Sequence, residues 1–483
     1  VGIVVPDWLG RQASLTPDRV AIDAPEGTVT FRAFEALVAR AAGRLRGVDV
    51  RDGERVAVLA RNSLPYAALI HAVPRAGGIL VPLNTRLSRD ELRAQIADAG
   101  VRLLVADAAH RGVAGMLGVP VLGTDDLEGT LLPAPERVNL DRPHSIIYTS
   151  GTTGAPKGAI VTHGNLWHGA LASAVNMGHE PGDRWLCVLP LFHVGGLSIV
   201  TRGAILGIAA VIHERFDVGR VNAAIERGDV TIVSAVSVML AQLSEGRDRP
   251  FPSSLRAVLL GGGPASRDLL ERAASLHIPV LQTYGLTETA SQAATLAPGD
   301  ALRKLGSAGK PLSVTEIRID ADEPGVSGEI LVRGLTVTPG YYGRPEATAE
   351  ALRDGWLHTG DLGYLDEEGY LYVLDRRDDL IVSGGENIYP AEVERVLSGH
   401  PAVADVCVVG IPDTRWGQRP VAAVVLRGSA TSADLLTFCR ERLAGYKVPD
   451  RFVIRDELPR NAGGKVLRRV VRETLDEPPS AGL

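Results

Sequence analysis

The feature that most constrains this chain is a regular alternation of short apolar runs and amphipathic stretches that begins near Arg55. Residues 56–59 read as a strand, 64–75 as a helix, 79–81 as a strand, 89–99 as a helix and 101–105 as a strand. Apolar runs of this kind, separated by helices, call for a parallel sheet covered by helices, an α/β architecture. The pattern resumes at 185–188, 230–233, 257–260 and 280–282. From about Val314 it turns to β, with strands expected at 316–319 and 329–332 and a hairpin over 363–374 turned by Asp366-Glu-Glu-Gly369. A charged run at 375–379, followed by Ser383-Gly384-Gly385, marks a boundary. Beyond it the pattern predicts helices over 390–397 and 433–443 and strands near 403–409 and 421–425. The expected division is a large domain, 1–377, and a small α+β domain, 378–483.

The densest local signal lies inside the large domain. A strand end, Ser145-Ile146-Ile147, leads into Tyr148-Thr-Ser-Gly-Thr-Thr-Gly-Ala-Pro-Lys-Gly158. Thr149, Ser150, Thr152 and Thr153 supply hydroxyls, and Lys157 a cation. Gly151, Gly154 and Gly158 let backbone N–H groups converge on an anion. An ordinary polar turn needs two or three such residues, so the run reads as a polyphosphate grip. It is not a Walker P-loop, in which a glycine precedes the lysine and a hydroxyl residue follows it. Here Pro156 precedes Lys157 and Gly158 follows.

Bulk composition removes other classes. A net charge of −6 excludes a nucleic-acid binder that works through a basic surface. No apolar run approaches the roughly 20 residues that span a bilayer. Val1–Val5 is too short for a signal peptide and lacks its basic flank. The scattered Cys187, Cys407 and Cys439 suit a reducing compartment, so a cytoplasmic location is expected. Only five lysines occur, at 157, 304, 310, 447 and 465. A lysine retained in so arginine-rich a chain points to a place that needs a compact ammonium.

Further motifs follow in order. Tyr284-Gly-Leu-Thr-Glu-Thr-Ala290, Thr359-Gly-Asp-Leu-Gly363, Arg376–Asp379 with Ser383-Gly-Gly-Glu-Asn387, and Pro459-Arg-Asn-Ala-Gly-Gly-Lys465 accompany the phosphate loop. Together they resemble the adenylate-forming superfamily of acyl-CoA synthetases, peptide-synthetase adenylation domains and luciferases. The resemblance implies two α/β subdomains plus a β subdomain in the large domain, and a mobile small domain turning about a hinge at Asp378. It also implies ATP, Mg²⁺ and coenzyme A. Thr149–Lys157 would hold the β- and γ-phosphates, Thr287 the α-phosphate, and Glu288 the magnesium. Gly262, Gly263, Pro264 and Tyr284 would wall the adenine, and Asp361 and Arg376 would bind the ribose. Lys465 would reach the α-phosphate and the attacking carboxylate. Gly384 and Gly385 would open a thiol tunnel, with Trp416, Tyr446 and Lys447 near the coenzyme entrance. Read singly, Asp361 fits a turn cap, Arg376 a surface ion pair and Glu288 a solvated acid; the ordered set favours the functional roles.

The segment Leu189–Ala204 bears on the acid substrate. His193 lies at the superfamily's gate beside the acyl pocket, or is a hydrogen-bonded core histidine. Arg202 interrupts an apolar helix. It either points outward or faces the pocket and awaits a second anionic group, since arginine is rarely buried unpaired. Phe192–Ser198, Gln282–Gln292, Gly306–Pro311, Arg376–Glu392 and Arg415–Gln418 resemble the 2-succinylbenzoate–CoA ligases of menaquinone biosynthesis. That substrate carries two carboxylates, and Ser198, Arg202, Ser291 and Gln292 are the candidates to surround it. The alternatives are a CoA ligase for another aryl or medium-chain acid and a non-catalytic adenylate-binding protein. Relatives of this kind are often homodimers.

Overall fold

The computed structural model describes residues 2–150, 156–262, 265, 267–301, 303–321, 323, 325–376, 380–459 and 466–476, apart from the side chains of Ser150, Arg267, Asp375, Arg376, Ala391, Arg395, Arg469 and Asp476. The chain forms two compact units. The first comprises Val1–Thr85, Ile96–Tyr148 and Gly158–Leu374; the second comprises Arg86–Gln95, Thr149–Lys157 and Asp375–Leu483. The expected hinge residue Asp378 lies outside the described residues.

Two parallel-rich sheets and a smaller antiparallel one build the first unit. One sheet runs Pro156–Thr162, Pro143–Ser150, Ile79–Pro82, Arg55–Leu59, Val101–Ala106, Val121–Gly123. The second, larger sheet centres on Val280–Tyr284, Ala257–Leu260, Ile232–Ala235, Arg184–Cys187 and Ala209–Ile212. These five strands are parallel. Their residues are almost all buried, as strands covered on both faces must be. The helix Leu64–Arg75 starts where Ser63 caps it by accepting from the Tyr66 N–H at 3.3 Å, with a proline in its first turn. The antiparallel sheet holds Thr315–Asp320, Gly328–Gly334 and Trp356–Leu365, the last paired with Leu371–Arg376.

In the second unit, Val403–Asp413 and Gly417–Leu426 form a long antiparallel pair, and Arg451–Arg455 adds to it in parallel. The helices Pro390–Ser398 and Ser432–Arg440 pack over it, around a core that includes Val393, Leu397, Val406, Val408, Val424 and Leu435. Among the described residues no helix is long and apolar enough to cross a membrane. All three cysteines are buried and none forms a disulfide.

Candidate active site

The strand Val280–Tyr284 ends in a tight turn that carries Thr287 and Glu288 on a short 3-10 segment, Thr287–Thr289. The turn is closed by Leu286 N–H donating to Thr289 Oγ1 at 2.9 Å and Ser291 N–H to the Leu286 carbonyl at 3.1 Å. Gly285 is required here because a Cβ would sit 2.1 Å from the Ser291 carbonyl oxygen. Ala290 (φ 51°) and Ser291 (φ 95°) then hold successive left-handed conformations that non-glycine residues rarely adopt. Backbone strain of this kind gathers at functional sites.

Tyr284 also reaches out of this motif. Its hydroxyl donates to Asp361 Oδ2 at 2.7 Å, so the residue expected to wall a base fixes the acid expected to bind a ribose. Asp361 is buried, on the strand Trp356–Leu365, and its N–H donates to Thr359 Oγ1. Glu288 Oε1 accepts from the Tyr341 hydroxyl at 2.9 Å. Neither pairing could be read from the sequence, which singled out Tyr284 and Asp361 separately and Tyr341 not at all. The one signal for Tyr341 was its place in Gly340-Tyr-Tyr-Gly343, tyrosines set between glycines in a polar loop.

The helix Val194–Leu206 is buried nearly throughout, and His193 stands at its N-cap with its ring 4.7 Å from that of Phe192. Arg202 is 2% exposed, so it does not point to solvent. Its guanidinium lies 5.2 Å from the Trp185 ring centre, and no carboxylate or hydrogen-bond acceptor is paired with it among the described residues. Burial lowers its pKa to about 10, which leaves it charged at neutral pH. Ser198 Oγ donates back to the Val194 carbonyl at 2.5 Å, so its proton is used by the helix. Gln292, also buried, donates to Thr295 Oγ1 at 3.0 Å, while its Oε1 has no partner among the described residues.

In the second unit, Thr149 Oγ1 donates to the Lys157 carbonyl at 3.5 Å. Gly151, Thr152, Thr153 and Gly154 lie outside the described residues, as do Gly263, Pro264 and Lys465; the Ser150 and Arg376 side chains do also. Gly262 is described and adopts φ 78°. Gly384 (φ 57°) and Gly385 (φ 85°) form the two-residue turn between Ile381–Ser383 and Glu386–Ile388, a geometry that needs positive φ at both positions. A Cβ on Gly384 would also sit 2.7 Å from the Trp416 ring. Trp416 itself is 39% exposed, with Arg415 and Arg419 over its ring.

Lys447, expected near the coenzyme entrance, is 3% exposed and donates to Glu91 Oε1 at 2.7 Å and Glu392 Oε1 at 2.8 Å. Burial works against its charge, but the two carboxylates outweigh it and raise the pKa. Its ammonium is occupied by the protein. Tyr446, beside it, has its pKa raised by burial and then by the nearby acids.

Residues 9–342 match the family described as AMP-binding enzyme, and 392–465 match the AMP-binding enzyme C-terminal domain. The chain belongs to the AMP-binding enzyme family. It is 48% identical over 481 residues to the 2-succinylbenzoate–CoA ligase of Bacillus cereus (strain Q1), covering 98% of this chain and 99% of that protein. Among solved structures it resembles a double mutant of o-succinylbenzoate CoA synthetase (MenE) from Bacillus subtilis bound with a product analogue (TM-score 0.94, 44% identity, 98% and 99% of the two chains). The same enzyme in complex with its acyl-adenylate intermediate matches at TM-score 0.77 and 44% identity over the full length of both chains. In complex with ATP and magnesium it matches at 0.76 and 45%, covering 97% and 99%.

Proposed function

We propose that this chain is an AMP-forming acid–thiol ligase that converts 2-succinylbenzoate, ATP and coenzyme A into 2-succinylbenzoyl-CoA, AMP and pyrophosphate, a step of menaquinone biosynthesis. The observation that carries the substrate assignment is Arg202: a buried, charged guanidinium with no acid paired to it among the described residues. A dicarboxylate supplies the missing partner, and the resemblance to 2-succinylbenzoate–CoA ligases over nearly the whole chain supports the same acid.

The chemistry divides into two balanced steps. A succinyl carboxylate oxygen attacks the α-phosphorus, the bond to the β-phosphate breaks, and pyrophosphate leaves. The coenzyme thiolate then attacks the acyl carbon and AMP leaves. Arg202 holds the distal benzoate, with Gln292 Oε1 and Ser291 beside it, while His193 borders the acyl group. Asp361, oriented by Tyr284, accepts from the ribose hydroxyls. Lys157 and Lys465 neutralise charge at the phosphates, and Thr287 donates to the α-phosphate. Trp416 offers an exposed face with flanking arginines for the coenzyme.

Glu288 fits magnesium. Its hard carboxylate oxygens stand at a strained turn, and among the described residues no group of three or more His, Cys, Asp or Glu could hold an ion unaided. Mg²⁺ characteristically takes one or two carboxylates and completes its shell with water and substrate phosphates. When bound it supplies charge neutralisation at the polyphosphate. Cytoplasmic location and a homodimer belong to the same reading, and sedimentation of the purified protein tests the latter. The decisive assay is coupled AMP release with coenzyme A and a panel of carboxylic acids. Highest kcat/KM on 2-succinylbenzoate is expected; preference for a neutral-tailed aryl or medium-chain acid overturns the substrate assignment.

A further inference from the structure

The turn that carries Glu288 is tied at two points to the segment 338–344. Thr338 N–H donates to the Glu288 carbonyl at 2.8 Å, and the Tyr341 hydroxyl donates to Glu288 Oε1 at 2.9 Å. The segment is itself fixed. Tyr341 N–H donates to Thr348 Oγ1 at 2.9 Å, and Gly340 adopts φ 143° where a Cβ would strike Thr348.

The same segment braces the stems of the phosphate loop. On the outgoing side Tyr342 N–H donates to the Gly158 carbonyl at 2.8 Å, Ile160 N–H to the Gly340 carbonyl at 3.0 Å, and Thr338 Oγ1 to the Ile160 carbonyl at 2.6 Å. On the incoming side Arg344 pairs with Asp98, whose Oδ2 accepts from the Tyr148 hydroxyl at 2.7 Å. One short stretch of chain therefore bonds the strand just after the loop and the acid expected to bind metal, and reaches Tyr148, just before the loop, through Asp98.

We propose that Tyr341 is a positioning residue for adenylate formation: its hydroxyl fixes the Glu288 carboxylate in register with the phosphate-loop stems, leaving Oε2 for the magnesium of the nucleotide complex. This rests on the ligase reading. A carboxylate on a partly buried turn loses rotational freedom when it binds a metal. A charge-assisted hydrogen bond from a fixed tyrosine removes that freedom beforehand. Partners of this kind change metal affinity or activity by roughly 10- to 100-fold when removed.

The test is a double-mutant cycle in the full chain: wild type, Tyr341→Phe, Glu288→Gln and the double variant. Calorimetry with a non-hydrolysable ATP analogue, at varied Mg²⁺, gives the metal dependence of nucleotide binding. Thermal melting checks the fold. Tyr341→Phe is expected to weaken the Mg²⁺ dependence about tenfold, with metal-free nucleotide affinity and melting unchanged. In the Glu288→Gln background, removal of the hydroxyl should add almost nothing. An unchanged Mg²⁺ dependence in Tyr341→Phe, or additive losses in the double variant, overturns the inference. Because binding is read without any acid substrate, failure of the ligase reading in the carboxylate panel stays distinct from failure here.

Discussion

Lys447 and Arg202 are both cations taken out of water, and the protein treats them in opposite ways. Lys447, in the second unit, is enclosed by Glu91 and Glu392, and the acids raise its pKa. Arg202, in the first, has the face of Trp185 and no acid among the described residues, and burial lowers its pKa. The contrast is not a property of the units. Arg75 lies in the same unit as Arg202, is just as buried, and is paired with Glu35 at 2.6 Å and Asp7 at 3.4 Å. The fold can therefore furnish an arginine with counter-ions. A buried cation that arrives with its own acids is architecture; one with none among the described residues is where the proposed reading places the substrate's second carboxylate.

The largest effect should come from breaking the paired case. Lys447→Met removes the ammonium that two buried carboxylates share. Losing one partner of a buried pair costs about 3–5 kcal/mol. Equilibrium denaturation should show that loss, and adding Glu91→Gln and Glu392→Gln should recover most of it. If the single variant is as stable as wild type, the triad is not structural and the contrast with Arg202 collapses.

Next is the unpaired case, where the cost should fall on binding. Arg202→Ala should raise KM for 2-succinylbenzoate by about 30- to 150-fold, the equivalent of ~2–3 kcal/mol for a desolvated charge pair. A neutral-tailed acid should be nearly unaffected, and stability should not fall as it does for Lys447. A uniform rise across acids would sink the receptor role.

The sequence made much of this legible, but unevenly. The expected helices 64–75 and 89–99 and the strand 257–260 match Leu64–Arg75, Arg89–Ala99 and Ala257–Leu260, because local signals set their ends. The strand expected at 230–233 forms at Ile232–Ala235 instead. Its apolar run, Val230-Thr-Ile-Val-Ser-Ala235, has no internal mark, and pairing of Ile232 with Ala257 and Ala235 with Leu260 fixes the register. The site shows the same limit. Arg202 stood out because its helix is otherwise apolar, yet its lack of an acid is a property of the packed pocket. Tyr341 and Glu288, or Tyr284 and Asp361, meet across long sequence separations that one sequence cannot pair. The scarcity of lysine was partly informative: Lys447 and Lys304 each bind two carboxylates, so a compact ammonium serves structure as well as chemistry.

A third solution to burial sharpens the comparison: stay uncharged. His71 lies on the helix Leu64–Arg75 and His144 and His163 lie against Trp8, their rings 5.0 Å apart. Burial lowers all three, to about 3 for His71 and about 4 for His163, and nearby positive charge adds to it. The unfolded chain, with histidines near 6.5, binds protons that the native state refuses. Their contribution is therefore intact above about pH 6.5 and is lost as pH falls toward 4, by about 1.4 kcal/mol per pH unit for each histidine. Denaturation between pH 7 and 5 should show this slope, and His144→Phe should flatten it. A slope unchanged in that variant would place the acid sensitivity elsewhere.

The smallest effect belongs to a pair that looks stronger than it is. Arg419 donates to both oxygens of Asp450, and the carboxylate raises the arginine's pKa. Geometry alone would rank this bidentate pair with Lys447. Exposure ranks it differently: Asp450 is 45% exposed, so water solvates the carboxylate whether or not Arg419 is there. Breaking it strands no buried charge, and exposed pairs are worth about 0.2–1 kcal/mol. Asp450→Asn should therefore cost less than about 1 kcal/mol. The difference from wild type should shrink at high salt, where screening already weakens the pair. A loss as large as that of Lys447→Met would mean that pairing geometry, rather than burial, governs what these cations contribute, and the distinction drawn for Arg202 would lose its basis.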